Sequence, residues 1–196
     1  MRFKLDITGD IKGIIKEKTK RLLQEVEDAV NDFGQDTVND AKRLAPVNEG
    51  FLRNAISYVP VKSGSSLIEV EIVVAADYAA YVEFGTRKFA AQYVATLPSE
   101  WQTFAAQFKG PGGGSFDEFV MRLTRWVLKK GIGKTQNVTT RKTDRVGKQS
   151  AKTTAEADAY AIALYIMRNG IRPHPFLYPA VTKNKIELFK RIKALK

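Results

Sequence analysis

One segment of this chain is similar to a known functional motif: Gly131-Ile132-Gly133-Lys134-Thr135. A phosphate-binding loop ends in Gly-Lys-Thr, because its backbone N–H groups and its lysine hold phosphate oxygens. That motif also requires a glycine where this chain has Leu128, and it follows a strand where a helix is predicted here. The segment is therefore interpreted as a helix end followed by a basic loop, and no ATPase activity is predicted.

His174, the single histidine, is the other candidate for catalysis. A general base needs a group that orients it, and no acid lies near His174 in the sequence. Its neighbours Pro173 and Pro175 favour an extended chain, so a structural or partner-contacting role is predicted. Glu69 and Glu71 share one strand face, which is typical of a solvated surface. With no cysteine and one histidine, no metal, no cofactor and no enzymatic activity are expected.

Two aromatic segments are more specific than any of these patterns. The first aromatic segment, residues 78–86, reads YAAYVEFGT, and the second aromatic segment, residues 172–180, reads RPHPFLYPA. Both place large apolar side chains beside glycine or proline, which restricts the backbone. We expect the two segments to form a packing hinge around shared aromatic side chains.

The positive charge of the chain is local. The net charge is +11 over 196 residues, and residues 120–150 carry nine Lys or Arg against Asp144 alone. These nine candidates for DNA or partner contact are Arg122, Arg125, Lys129, Lys130, Lys134, Arg141, Lys142, Arg145 and Lys148. Such a run is either an ordinary solvated surface or a surface that meets phosphates or an acidic partner. No signal sequence or membrane-spanning segment is recognised, which predicts a soluble intracellular protein without membrane contact.

The patterning predicts an α+β fold, in which a long N-terminal helix and a C-terminal helix pack on a small antiparallel sheet. Apolar residues at three- and four-residue spacing predict the first helix over residues 11–45, with Gly34 as the expected bend. Alternation predicts strands over residues 51–61 and 68–74, and a short helix over residues 78–84 ends at a left-handed Gly85.

A mainly helical insertion is predicted over residues 91–152, within a core domain of residues 1–90 and 153–196. Pro98 begins one short helix, and Ser115 with Glu118 forms a capping box for a helix over residues 116–130. Residues 131–152 are predicted to be a mobile basic loop. A second capping box, Thr153 with Glu156, begins a further helix, and the last helix covers residues 180–195.

Four sequence elements, in order, resemble a family of phage neck proteins. They are the long first helix, Ala45-Pro46-Val47 together with Gly50-Phe51-Leu52-Arg53, the first aromatic segment, and the run from Pro175 to Ala180 in the second. The family comprises the head–tail joining, or tail-completion, proteins of long-tailed double-stranded-DNA phages. The resemblance covers residues 1–90 and 153–196.

The resemblance implies a non-enzymatic virion protein that is assembled in the host cytoplasm into a homo-oligomeric ring. Its partners would be portal or head-closure proteins, tail proteins and possible DNA in the channel. The residues expected to form packing or subunit contacts are Tyr78, Tyr81, Glu83, Phe84, Gly85, Thr86, Arg172, His174, Pro175, Phe176, Tyr178 and Pro179. Of these, Glu83, Arg172 and His174 would be polar contacts at subunit or partner borders. Two alternatives stay open: a non-specific nucleic-acid-binding protein that uses the basic insertion, and a tail-terminator ring protein.

Overall fold

The computed structural model describes residues 1–6, 20–47, 49–60, 68–108, 115–131 and 147–195. The chain divides into two compact units. Unit 1 comprises Met1–Phe108 together with Arg172–Lys196, and unit 2 comprises Lys109–Ile171. The predicted insertion covers residues 91–152. Within that range, Leu97, Trp101 and Phe104 are buried in the core of unit 1.

Unit 1 contains an antiparallel sheet of three described strands, β1 (Arg2–Asp6), β2 (Ile56–Val59) and β3 (Glu69–Val74), in the order β1-β3-β2. In the register, Phe3 and Tyr58 both lie opposite Ile72. β1 was not predicted, although its side chains alternate: Phe3 and Leu5 are buried while Arg2 and Lys4 are exposed.

The solvated face of β3 is paired across the strands. Arg2 Nη1 lies 3.3 Å from Glu71 Oε1, and Lys4 Nζ lies 2.7 Å from Glu69 Oε1. The hydrogen bond and charge of Glu69 raise the pKa of Lys4. Opposite charges at diagonal positions of neighbouring strands favour this register, because long side chains reach across such positions. With this sheet and eight described helices, the predicted α+β class is confirmed.

The first described helix, α1, covers Lys20–Leu44. Residues 11–19, where this helix was predicted to begin, lie outside the described residues. The helix continues through Gly34, where a bend was expected. A Cβ atom at Gly34 would lie 2.5 Å from Cδ2 of Tyr58, so glycine is required here by the close approach of β2.

The structure corrects the strand predicted over residues 51–61. Phe51–Asn54 forms a short helix, α2, and only Ile56–Val59 pairs in the sheet. Gly50 begins this helical turn with φ of 84°, a left-handed conformation that glycine adopts readily. The local turn replaces the first half of the predicted strand. Residues 61–67, which begin with the last residue of that predicted strand, lie outside the described part of the chain.

The described part of unit 1 contains four further helices: α3 (Ala79–Phe84), α4 (Arg87–Val94), α5 (Ser99–Ala106) and α8 (Leu177–Ala194). The short helix before Gly85 and the helix after Pro98 are both confirmed, and α4 was not predicted. Gly85 has φ of 74° and ψ of −167°, which is an extended glycine conformation rather than the left-handed helical one expected. α1 packs on β2 and β3, and α8 packs along α1.

The described residues of unit 2 form two helices, α6 (Phe116–Lys130) and α7 (Gly147–Asn169). The capping box of Ser115 and Glu118 is confirmed in both of its hydrogen bonds, and Gly131 ends α6 in a left-handed conformation. α7 begins six residues before Thr153, so helix continues through the second predicted capping box. The two helices enclose a small core around Val127, Ala155 and Ala159. None of the helices in the described ranges is long and apolar enough to cross a membrane.

Candidate interaction site

The two aromatic segments meet at the buried carboxylate of Glu83. Its side chain, which has 0% exposure, accepts three backbone hydrogen bonds from the beginning of α8. The donors are the N–H groups of Phe176 at 2.8 Å, Leu177 at 2.8 Å and Tyr178 at 2.9 Å. The first N–H groups of a helix have no partner within the helix, and a negative charge there is favoured by the helix dipole. Glu83 therefore caps α8 from the other aromatic segment.

A second hydrogen bond joins the same two segments through the backbone. The N–H of His174 donates to the carbonyl oxygen of Val82 at 2.7 Å. We call this contact and the Glu83 cap together the junction. Glu83 was expected among the packing or subunit contacts, and its side chain lies in the interior of unit 1. Its partner is 93 to 95 residues away in sequence, and no local pattern identifies that pairing.

An aromatic cluster surrounds the junction. The ring of Phe84 lies 6.0 Å from that of Phe104, centroid to centroid, and Tyr178 lies edge-on to Trp101 at 5.1 Å. Trp101 stacks on Phe3 at 4.7 Å, so the cluster reaches β1. Offset and edge-on pairs of this kind add stability beyond the burial of their surface. The sequence identified Phe84 and Tyr178 as packing residues but not their contact with α5.

The remaining residues of the two segments differ in exposure. Tyr78 and Tyr81 are 46% and 38% exposed, so much of each ring is open to solvent. Phe176 is fully buried. Arg172 and His174 are exposed, whereas Thr86, Pro175 and Pro179 are partly buried. The segments thus combine a buried junction with an exposed rim of aromatic and cationic side chains.

Burial sets the ionisation of the groups near the junction. Burial raises the pKa of Glu83, and the three N–H donors oppose that effect. The pKa of Tyr93 is raised to about 12, mainly by burial and also by the nearby Glu83 and Tyr178. Of the two effects on Glu83, burial is the larger, so the neutral form of its carboxyl group is favoured more than in water.

A second polar cluster joins α1 to α8 around Asp40. Asp40 Oδ2 accepts hydrogen bonds from Lys183 at 2.9 Å and from Asn184 at 3.0 Å, and Arg43 pairs with the other carboxylate oxygen. Burial would raise the pKa of Asp40, but these donors lower it to about 2. Nearby, Arg191 bridges two more aspartates of α1. The sequence patterns did not identify this cluster.

The predicted basic surface is described only in part. Arg122, Arg125, Lys129 and Lys130 are exposed on α6. Lys134, Arg141, Lys142 and Arg145 lie outside the described residues, as does the side chain of Lys148. Among the residues that the structure describes, no group of three or more His, Cys, Asp or Glu could hold a metal ion.

One protein family matches the chain, over residues 12–85. Its description is "Bacteriophage HK97-gp10, putative tail-component". Residues 12–85 are therefore similar to a phage tail-component family. The matched stretch contains α1, α2, β2, β3 and α3 and ends at Gly85, within the first aromatic segment. No curated protein and no solved structure matches the chain. The match confirms the resemblance to phage head–tail or tail-related proteins that the sequence elements indicated.

Proposed function

We propose that this chain is a structural, non-enzymatic protein of the phage neck, which forms a ring that joins the DNA-filled head to the tail. The observation that carries the proposal is the match of residues 12–85 to a phage tail-component family. That stretch contains three of the four sequence elements that resemble the neck proteins. The ring, its place between head and tail, and its contacts with portal or head-closure and tail proteins are parts of the proposal.

Exposed apolar side chains support a role in assembly. Three exposed apolar side chains lie around the connection between α1 and α2. Leu44 ends α1, Val47 lies in the connection and Phe51 begins α2, with exposures of 44%, 56% and 67%. They lie within or beside the Ala-Pro and Gly-x-Leu-Arg elements. A ring is built from heterologous contacts, in which a surface of one subunit packs against a different surface of the next subunit. We assign these three side chains, together with the exposed Tyr78 and Tyr81, to contacts with neighbouring subunits.

The test is a nonsense mutation of this gene in the phage that encodes it, followed by electron microscopy of the lysate. If the protein joins head to tail, the mutant lysate should contain full heads and free tails of normal length. The wild-type gene supplied in trans should restore infectivity. Tails of irregular length would instead assign the protein to the tail-terminator layer. Normal joined particles would contradict the proposal. Complementation by Phe51→Ser, compared with Ser57→Ala as a control on β2, tests the assigned contact surface.

The second candidate is a nucleic-acid-binding protein, which the exposed cations of α6 favour. A basic helix face binds phosphates with an affinity that falls steeply as salt is raised. Reversing Arg122, Arg125 and Lys129 to glutamate should abolish such binding in a salt titration. If DNA affinity is unchanged by that reversal, this candidate fails while the neck proposal is unaffected.

A further inference from the structure

Three cations on unit 1 form a patch that the junction and the proposed function do not use. Arg87 and Lys88 begin α4, and Arg172 begins the second aromatic segment. Lys88 Nζ lies 5.3 Å from the centroid of the Phe89 ring, and Arg172 Cζ lies 5.5 Å from the same point. We call these four residues the Phe89 patch.

The cations of the Phe89 patch act as one charged surface. Because both distances end at one centroid, the charges of Lys88 and Arg172 lie within about 11 Å of each other, close to the Debye length at about 0.1 M salt. Across the described ranges, no carboxylate forms a salt bridge with any of the three. All three side chains are exposed, so an approaching anion meets the full charge.

Two of the three cations, Arg87 and Lys88, lie at the N-terminal end of α4, where positive charge destabilises a helix. Cations at the beginning of a helix are opposed by the helix dipole, and the first turn of α4 contains no acid to offset Arg87 and Lys88. Arg87 also has φ of 52°, a conformation that residues with a side chain rarely adopt. Backbone of this kind is frequent at binding sites. An anion bound at the patch would offset this unfavourable interaction between the cations and the helix dipole.

We infer that the Phe89 patch binds phosphates of a nucleic acid backbone. A polyanion is the favoured partner because the patch presents three exposed cations, none of which is paired with a carboxylate among the described residues. Lysine and arginine beside an aromatic ring are also the combination that nucleic-acid surfaces use. The inference depends on neither the neck position nor the charges of α6.

The test measures the affinity of the full-length protein for a fluorescent mixed-sequence DNA duplex over a series of salt concentrations. Lys88→Gln with Arg172→Gln removes two charges from the patch. Arg53→Gln with Lys193→Gln removes two exposed charges elsewhere in unit 1, and Arg122→Gln with Arg125→Gln removes two from α6. The conservative pair Lys88→Arg with Arg172→Lys keeps the patch charge. Thermal unfolding of each variant confirms that it is folded.

The patch pair is expected to lower affinity on the order of fivefold more than the Arg53/Lys193 control, with the salt slope reduced by about 2. The conservative pair should restore binding. Phe89→Leu, which keeps both charges but removes the ring that orders them, should weaken binding with little change in slope. Equal losses in the patch pair and its control would overturn the inference. It would also be overturned if the wild type bound polyglutamate through Lys88 and Arg172 but did not bind DNA, which would indicate an acidic protein partner.

Discussion

Glu83 shows how one side chain joins two parts of a chain that are more than ninety residues apart. Its carboxylate satisfies three N–H groups at the start of α8 that would otherwise be buried without partners. Phe176, which precedes the helix, makes no side-chain cap of its own. The beginning of α8 therefore depends on a residue of the first aromatic segment.

Replacing Glu83 with alanine should lower the free energy of unfolding by about 3 kcal/mol or more, because a buried donor without a partner costs about 1–3 kcal/mol. Glu83→Gln should cost less, since the amide oxygen keeps one acceptor. Urea unfolding measures both. The matched control is Glu100→Ala on α5, an exposed glutamate whose loss should change stability by less than about 0.5 kcal/mol. Equal effects at the two positions would show that the junction contributes nothing to stability.

The raised pKa of Glu83 predicts a pH dependence with a defined sign. Between the ordinary glutamate pKa of 4.5 and its raised value in the folded protein, the folded state binds more protons than the unfolded state. Stability from this group is therefore complete below pH 4.5 and declines as pH rises through the raised pKa. The stability difference between wild type and Glu83→Gln should be largest near pH 4 and decrease towards pH 7. A difference that grows with pH would contradict this prediction.

At the scale of the elements, α1 presents aspartates at positions 28, 32, 36 and 40, four residues apart. Like charges at this spacing destabilise a helix. The cations of α8 offset three of them: Arg191 contacts Asp32 at 3.1 Å and Asp36 at 3.8 Å, and Lys183 contacts Asp40. Charge therefore fixes the pairing of these two helices along the apolar contact between them.

Because the pKa of Asp40 is lowered to about 2, its contribution to stability is present above pH 3.8 and is lost as pH falls towards 2. We expect about 1–2 kcal/mol, less than the full shift implies, because the charged ends of Lys183 and Arg43 are exposed. Asp40→Asn should lose this amount at pH 7 and show a weaker acid transition between pH 4 and 2. Asp28→Asn, which removes an exposed charge of the same row, is the control. Identical acid profiles for Asp40→Asn and wild type would contradict the assignment.

Gly34 tests whether helix propensity or packing decides the contact between α1 and β2. Propensity alone predicts that Gly34→Ala stabilises the helix by about 1 kcal/mol. The new Cβ would meet the Tyr58 ring at 2.5 Å, and overpacking of this kind costs about 1–3 kcal/mol. We expect net destabilisation in thermal unfolding, with recovery in the double variant Gly34→Ala/Tyr58→Ala relative to Tyr58→Ala alone. Gln35→Ala, at the next and exposed position, is the control and should be near neutral or slightly stabilising.

What the sequence could predict depended on how local the causes are. The capping box at Ser115 and the helix after Pro98 were predicted correctly, because their signals lie within a few residues. β1 was missed because a five-residue strand becomes stable only when it pairs with β3, more than sixty residues later. The role of Glu83 was missed for the same reason. Gly34 was expected to bend a helix, whereas it accommodates a tyrosine from another element.

At the scale of the whole molecule, charge and packing are divided between the two units. Unit 2 contains 12 Lys or Arg against 5 Asp or Glu, a net charge of +7, and unit 1 accounts for the remaining +4. The buried residues of the larger core belong to unit 1, and so do the residues of the junction. Fold and most of the excess charge are therefore carried by different parts of the chain.

This division predicts that unit 1 folds without unit 2. Replacing residues 109–171 with a flexible Gly/Ser linker of about 15 residues, which spans on the order of 20 Å, should leave a cooperative thermal transition within about 5 °C of the wild type. The reason is that no residue of the larger core is removed. Adding Glu83→Ala to the linker variant should lower the midpoint as it does in the full chain, which shows that the junction is intact. A linker variant that melts without cooperativity would instead show that unit 1 needs unit 2 to fold. If it folds, its ability to complement the phage nonsense mutant separates the assembly role of unit 1 from any role of the basic unit.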